Sequence, residues 1–416
     1  MEQFRIAGGK KLYGRVQIAR AKNAVLPMMA AAILTDEPVV IRACPHITDV
    51  FAMAGILTYL GAVCEYREGD LILHPQGTQN KPLAQNLTGG LRSSVCMLGA
   101  LLARFGSASI AFPGGCKIGT RPLDLHLGGL AAIGVHTHVD EGGLHSERTH
   151  SGGTVRFTFP SVGATENVLL AAALGEGETT IYNGAREPEV EDLARLLSAM
   201  GGDVKWKDGT YRIRGVRRLH GATFLPVADR IEAGTFLCMA ASAGGEVQLD
   251  GVNEKFLTPL TEKIAGNGCK IYREYDRIII SRKDDLAAAG DVTTAPYPGF
   301  ATDLQAQYAA VCATAKGTTN ICESLFESRF AYAAELARMG ADITVTHNTA
   351  HITGVPKLHG GTVFASDLRG GAALITAALG AEGETLVGGC KYVDRGYDNL
   401  VGKLRTLGAD IRRLII

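Results

Sequence analysis

The 416-residue chain predicts an α+β fold of two similar domains, each made of three repeated units that pack helices inside sheets. Three observations carry this expectation. The length exceeds one ordinary core, since domains usually run to roughly 100–200 residues. Six segments, AGILTYLGAVCEY, GGLAAIGVHTHV, LARLLSAMGGDVKW, TEKIAGNGCKIYRE, AELARMGADITVT and GKLRTLGADIRRL, each read as an amphipathic helix closed by glycine and followed by an alternating strand. Between them lies a second series of helices, rich in Ala and apolar nearly all round, the mark of a helix buried on every side.

The glycines set the period. Gly61, Gly134, Gly201, Gly268, Gly340 and Gly408 follow one another at separations of 73, 67, 67, 72 and 68 residues, which is an internal repeat. Glycine after the last apolar position supplies a left-handed helix cap, and the alternation behind it has the two-residue period of a half-buried strand. The buried helices, in order, are NAVLPMMAAAILT, LRSSVCMLGALLARFG, ATENVLLAAALGEG, DRIEAGTFLCMAAS, TDLQAQYAAVCATAKG and DLRGGAALITAALG. A new repeat begins at ADRIEAGTF, so the first domain is expected over 22–229. The opening FRIAGGKKLYGRVQI reads as the start of a repeat whose helix comes later, so the second domain is expected to join 1–21 to 230–416.

Composition narrows the partners. Basic and acidic residues balance at 42 each, so no whole-molecule field favours nucleic acid or a membrane surface, and an anion site must be a local basic cluster. Apolar runs such as MMAAAIL fall short of the ~18 residues of a membrane span, and MEQFRIAGGK lacks a signal-peptide core. The chain is expected in the cytoplasm, as a monomer. Nine cysteines without a CxxC pair support neither a disulfide framework nor a zinc site. No metal or cofactor is expected, and HExxH, GxSxG and GxxxxGK[ST] are missing from the sequence.

The starts of the buried helices concentrate the chemistry, because a helix N-terminus presents free N–H groups and about half a positive charge. Asn23, Thr165, Asp229, Asp303 and Asp367 are expected to cap them, each contributing ~1 kcal/mol. Lys22, Arg92, Arg230 and Arg369 stand at or beside four of the six starts. Cations there oppose the macrodipole at roughly 0.3–1 kcal/mol each unless an anion offsets them. Equivalent ends gathered on facing sides of two domains predict a cleft for a multiply anionic ligand. Arg121, Arg329 and Arg395 lie in turn-rich loops and add to the positive charge.

Within FPGGCKIGTRP, residues 112–122, Cys116 stands beside Lys117 and near Arg121. Positive neighbours favour a thiolate, fitting acid/base or covalent work near neutral pH. The Pro-Gly-Gly turn predicts an accessible, hinged segment. Cys238 and Cys312, in Ala-rich helices, are expected to be inert core residues. His126 is placed to activate a thiol, but no oxyanion partners accompany it.

Taken together, AKNAVLP at 21–27, LARFGSASIAFPGGCKIGTRPLDLH at 102–126, PSVGATEN at 160–167, AREPEVEDLA at 185–194, DRIEAGTF at 229–236, TDLQAQ at 302–307, FESRF at 326–330, SDLR at 366–369 and DRGY at 394–397 closely resemble the UDP-N-acetylglucosamine 1-carboxyvinyltransferase family over essentially the full length. The resemblance implies the enolpyruvyl transferase fold, two inside-out α/β domains of three units each on either side of a cleft. It implies transfer of the enolpyruvyl group of phosphoenolpyruvate to the 3′-hydroxyl of UDP-N-acetylglucosamine with release of phosphate. That step serves peptidoglycan synthesis and, through the cell wall, cell shape and division, and it is the target of fosfomycin. By the same resemblance Cys116 is the proton donor and Asp303 the base. Lys22, Asn23, Arg121 and Arg395, with Arg92, Arg329 and Arg369, surround phosphoenolpyruvate. The nucleotide sugar is met by Asn23, Arg92, Arg121, Pro122, Asp124, Leu125, Ser161, Val162, Gly163, Asp303 and Leu325. Phe159 replaces a lysine found before the diphosphate loop in some members, and Cys96 replaces a bulkier residue. Two alternatives stay open: an enolpyruvylshikimate-phosphate synthase-like transferase, and a regulator that binds nucleotide sugar without turnover.

Overall fold

A computed structural model describes residues 2–115 and 118–415. The chain divides into two compact units, one of Arg20–Cys116 and Arg121–Val227, the other of Met1–Ala19, Lys117–Thr120 and Ala228–Ile416.

In the unit spanning 20–227, the described residues form three sheets. One runs Ala222–Phe224, Val39–Ile41, Asp70–His74, Val63–Arg67. A second runs Asp203–Lys207, Thr210–Arg214, Glu178–Tyr182, Gly153–Arg156. Each contains one parallel pair beside an antiparallel hairpin, as expected if one repeat was copied. The third sheet, Ser107–Ile110, Gly143–Arg148, Val135–Asp140, has only three strands. Its parallel partner is reduced to a single bridge between Leu83 and Ile110. Three helices, Lys22–Ala31, Cys96–Phe105 and Val162–Ala172, are buried along nearly their whole length.

The other unit repeats this plan. Its sheets are Thr362–Phe364, Glu384–Gly388, Glu2–Ala7, Asp410–Ile415; then Lys270–Glu274, Arg277–Arg282, Gly245–Asp250, Leu12–Gln17; and finally Val292–Thr293, Thr318–Cys322, Thr349–Thr353, Asp342–Thr346. The first strand of the chain thus lies between two strands from its far end, Phe4 opposite both Val387 and Arg413. The buried helices Arg230–Ala243, Gln305–Cys312 and Leu368–Gly380 all pack on one another. All six helices apolar on every side in the sequence are interior, and the six glycines of the period adopt φ between 89° and 108°, the left-handed cap that only glycine takes without strain.

The caps differ from expectation at three helices. Asp229 accepts from the N–H groups of Ile231 and Glu232, and Asp367 from those of Arg369 and Gly370. Thr165 is instead inside its helix, which begins earlier at the Ser161 cap. Asn23 is also inside, after Ala21, which has no side chain to cap with. Asp303 lies in the 3₁₀ turn Thr302–Leu304 and makes no cap bond. The first two helices start one turn or less before the polar residue that seemed to announce them. At the third, the carboxylate is bonded elsewhere.

Small residues let the buried helices approach. The Gly99 N–H donates to Asn167 Oδ1 at 2.8 Å, and a Cβ on Gly99 would fall 2.3 Å from the Asn167 carbonyl oxygen. Gly99→Ala must therefore push apart two packed helices. We expect a loss of roughly 1–3 kcal/mol, measured by chemical denaturation; wild-type stability would contradict this packing.

Candidate active site

In the unit that contains 228–416, Asp303 precedes the buried helix Gln305–Cys312. Arg329 Nη2 donates to its Oδ1, and Arg369 Nη2 donates to Oδ2 at 2.8 Å. The arginine side chains are only 7% and 6% exposed, that of Asp303 25%. Burial alone would raise the Asp303 carboxyl, but the charges and hydrogen bonds of Arg369 and Arg329 outweigh it and hold the group far below its ordinary range. Arg369 is the second residue of the helix capped by Asp367. Arg329 comes from the FESRF turn, its guanidinium 5.2 Å from the Phe326 ring centre. Arg395, half-buried, lies in the turn that leads to Tyr397.

Sequence reasoning missed Glu323. This carboxylate, 2% exposed, accepts from the hydroxyls of Thr294 at 2.9 Å and Thr302 at 2.6 Å, and from the N–H groups of Leu325 at 2.9 Å and Phe326 at 3.3 Å. It thereby builds the turn that carries Leu325 and Arg329. The available signal was ESLFES, an acidic residue two and three positions ahead of N–H groups in a turn.

In the unit spanning 20–227, Lys22 opens its helix and its Nζ lies 3.1 Å from Asp49 Oδ2. Asn23 follows it in the same first turn. Arg92 Nη2 donates to the carbonyl oxygen of Arg121, a residue held at φ 47°. Arg92 thus fixes the backbone of the other arginine, at a position where a side-chain-bearing residue is strained. Pro122 and Asp124 are exposed and Leu125 half-buried at the start of the helix Asp124–Ala131. Ser161 caps the helix Val162–Ala172, which places Val162 and Gly163 in its first turn, while Phe159 stays 42% exposed.

His126 does not fit the thiol-activating role. It is buried, its Nδ1 accepts from Asn167 Nδ2 at 2.8 Å, and burial followed by the charges of Arg92 and Arg121 lowers it to about 3. It is neutral at physiological pH. Cys238 and Cys312 are core thiols pushed up by burial, Cys312 to about 12. Cys116 and Lys117 lie outside the described residues. Near them, the glycines serve close packing where the sequence suggested hinge freedom: Gly114 N–H donates to Thr88 O at 3.0 Å, and a Cβ there would fall 1.6 Å from Gly89 O.

The cations at helix starts are matched in part by the protein itself, Lys22 by Asp49 and Arg369 by Asp303, and Arg230 stands 5.4 Å from the Tyr297 ring centre. A ligand is therefore not needed to explain their placement at rest. A surface groove of about 600 Å³ over the three-stranded sheet, lined by residues such as Ser109, His138 and His145, contains none of the expected site residues. Among the described residues no helix is long and apolar enough to cross a membrane, and no group of His, Cys, Asp and Glu is arranged to hold a metal ion.

The family model described as EPSP synthase (3-phosphoshikimate 1-carboxyvinyltransferase) matches residues 6–404. With three sheets around buried helices in each unit and a carboxylate between two buried arginines, the chain falls in the class of enolpyruvyl transferases. It is similar to the enolpyruvyl transferase NikO from Streptomyces tendae, with a TM-score of 0.87 and 26% identity over 99% of both chains. EPSP synthase from Acinetobacter baumannii, at 20% identity and a TM-score of 0.76 over the whole of both, shares the fold. Sequence relatives are closer. UDP-N-acetylglucosamine 1-carboxyvinyltransferase 2 of Caldanaerobacter subterraneus subsp. tengcongensis is 43% identical over all of both chains. The UDP-N-acetylglucosamine 1-carboxyvinyltransferase of Dinoroseobacter shibae is 44% identical over all of this chain and 99% of its own. The chain belongs to the UDP-N-acetylglucosamine 1-carboxyvinyltransferase family.

One of the two departures noted in the sequence has a partner. Cys96 Sγ donates to Glu166 Oε2 at 3.4 Å, and burial, together with Glu187 and Glu189, raises the Glu166 carboxyl to about 8. Folded Glu166 keeps a proton that the unfolded chain releases above its ordinary 4.5. This contribution to stability is complete below pH 4.5 and is lost as pH rises to 8. Glu166→Gln cannot titrate, so its melting temperature should gain on wild type between pH 5 and pH 8, by an equivalent of at most about 5 kcal/mol. A constant difference across that range would show that Glu166 is already ionised.

Proposed function

We propose that this chain transfers the enolpyruvyl group of phosphoenolpyruvate to the 3′-hydroxyl of UDP-N-acetylglucosamine and releases phosphate, the first committed step of peptidoglycan synthesis. The observation that carries this reading is a carboxylate between two buried guanidinium groups, in a chain 41–44% identical over its full length to relatives bearing that name. We place it in the cytoplasm as a monomer with no cofactor.

The chemistry is addition and elimination. A proton reaches the methylene carbon of phosphoenolpyruvate, the 3′-oxygen bonds to the neighbouring carbon, and the hydroxyl proton passes to Asp303, giving a tetrahedral intermediate. The new methyl group then gives back a proton, the carbon–oxygen bond to phosphate breaks, and the enol ether remains. Cys116 is the proposed proton donor and can also bond covalently to the pyruvyl carbon. Lys22, Arg121 and Arg395, with Arg92, Arg329 and Arg369, neutralise the phosphate and carboxylate, to which Asn23 donates a hydrogen bond. The diphosphate meets the helix start at Ser161, Val162 and Gly163, where the first-turn N–H groups of Val162 and Gly163 have no partner within the helix. Asn23, Pro122, Asp124, Leu125 and Leu325 meet the rest of the nucleotide sugar.

At rest Asp303 is too weak a base for this task, because two guanidinium groups stabilise its charge. An anionic substrate supplies competing acceptors. Each hydrogen bond that moves from the carboxylate to a phosphate oxygen raises the proton affinity of Asp303 toward the range useful for catalysis. Binding therefore prepares the base.

Mixing the protein with both substrates should release phosphate, and neither substrate should suffice alone. Release with shikimate 3-phosphate in place of the nucleotide sugar would favour the related synthase, and tight nucleotide-sugar binding without release would favour a regulator. Cys116→Ser should lower kcat by about 100-fold or more, the scale of a lost general acid, with an unchanged melting temperature. Mass spectrometry should find one fosfomycin adduct on wild type and none on this variant; adduct formation on both would remove Cys116 from the proposed role.

A further inference from the structure

Three interior helices of the unit containing 228–416 each bring one polar group to a single point. Thr235 Oγ1, Gln307 Nε2 and Arg369 Nη1 lie 2.9, 3.3 and 3.2 Å from the hydroxyl oxygen of Tyr397. These four residues are 0%, 0%, 5% and 4% exposed. A polar cluster among alanines and leucines is costly unless its groups are matched. Even so, Gln307 Oε1 is buried there without a partner, so stability alone does not account for the arrangement.

The donors determine where each proton lies. Thr235 gives its only hydroxyl proton to the Ile231 carbonyl at 2.8 Å. The Tyr397 oxygen accepts from Arg369 Nη1 and Gln307 Nε2. The Tyr397 proton must therefore go to Thr235 Oγ1, and its lone pairs face the arginine. The same guanidinium donates through Nη2 to Asp303 Oδ2 at 2.8 Å. Because that group is a rigid plane, fixing one nitrogen aims the other.

We propose that Tyr397 is a positioning residue: by anchoring Nη1 of Arg369 it aims Nη2 at Asp303 and limits how closely the arginine can engage that carboxylate. Its kinetic consequence rests on the enolpyruvyl-transfer reading. Without the phenol oxygen, Nη1 turns to the carboxylate that Nη2 already meets, Asp303, which becomes a poorer proton acceptor.

Tyr397→Phe should lower kcat about tenfold while the KM for UDP-N-acetylglucosamine stays within about threefold. In an Arg369→Lys background the same substitution should cost less than about twofold, because a residue acting through Arg369 has nothing left to act on. Wild-type kcat in Tyr397→Phe, or an equal loss in both backgrounds, would overturn the proposal, the latter being what a structural role alone produces. If that variant does not fold, Thr235→Val takes its place, with about a threefold fall in kcat that disappears beside Arg369→Lys; unchanged kcat would again overturn it. Should the wild type release no phosphate, the transfer reading fails, and the anchor is judged by nitrogen-15 resonances of the Arg369 guanidinium. Distinct, slowly rotating Nη signals in wild type that average in Tyr397→Phe uphold it, and identical spectra refute it.

Discussion

A helix that is apolar on every side can exist in water only if something encloses it, and that constraint governs this molecule. Each unit places three such helices inside three sheets, and several candidate site residues stand at the helix ends or in the turns leading to them. Lys22, Ser161, Asp303 and Arg369 all occupy such positions.

The buried charges at these positions are matched. Arg369 and Arg329 are desolvated and share one carboxylate, and Lys22 is set against Asp49. Breaking such a pair by removing one partner is far more costly than the pair is favourable, since the survivor is a buried charge without compensation. The resting protein thus holds this positive charge on internal anions, and in the proposed reaction it is shared with an incoming one. In the proposed reaction the same pairing keeps Asp303 a weak base until a substrate anion draws the guanidinium groups away.

Much of this was legible in the chain. The spacing of six glycines gave the repeat, and six all-round apolar segments gave the interior helices, because both signals are local and each is repeated. Lys22, Arg92, Arg230 and Arg369 were legible through their misplacement against the helix dipole, and Arg121, Arg329 and Arg395 through the turn residues around them. Their partners were not. Asp49 lies 27 residues from Lys22, Asp303 lies 66 from Arg369, and Asn167 lies 41 from His126, and no spacing rule reaches across such intervals. Caps were misjudged where a polar residue sat inside the first turn, as at Asn23 and Thr165. Glu323 and Tyr397 escaped because each works through neighbours brought together only by the fold.

The strand Glu2–Ala7 is made long before the two strands it pairs with, Glu384–Gly388 and Asp410–Ile415. During synthesis the unit spanning 20–227 has its whole sequence in hand well before that strand can find a neighbour. That strand must therefore wait as an unmatched ribbon edge while a whole unit assembles behind it, and the late arrival of its partner strands, rather than local propensity, sets when this sheet closes.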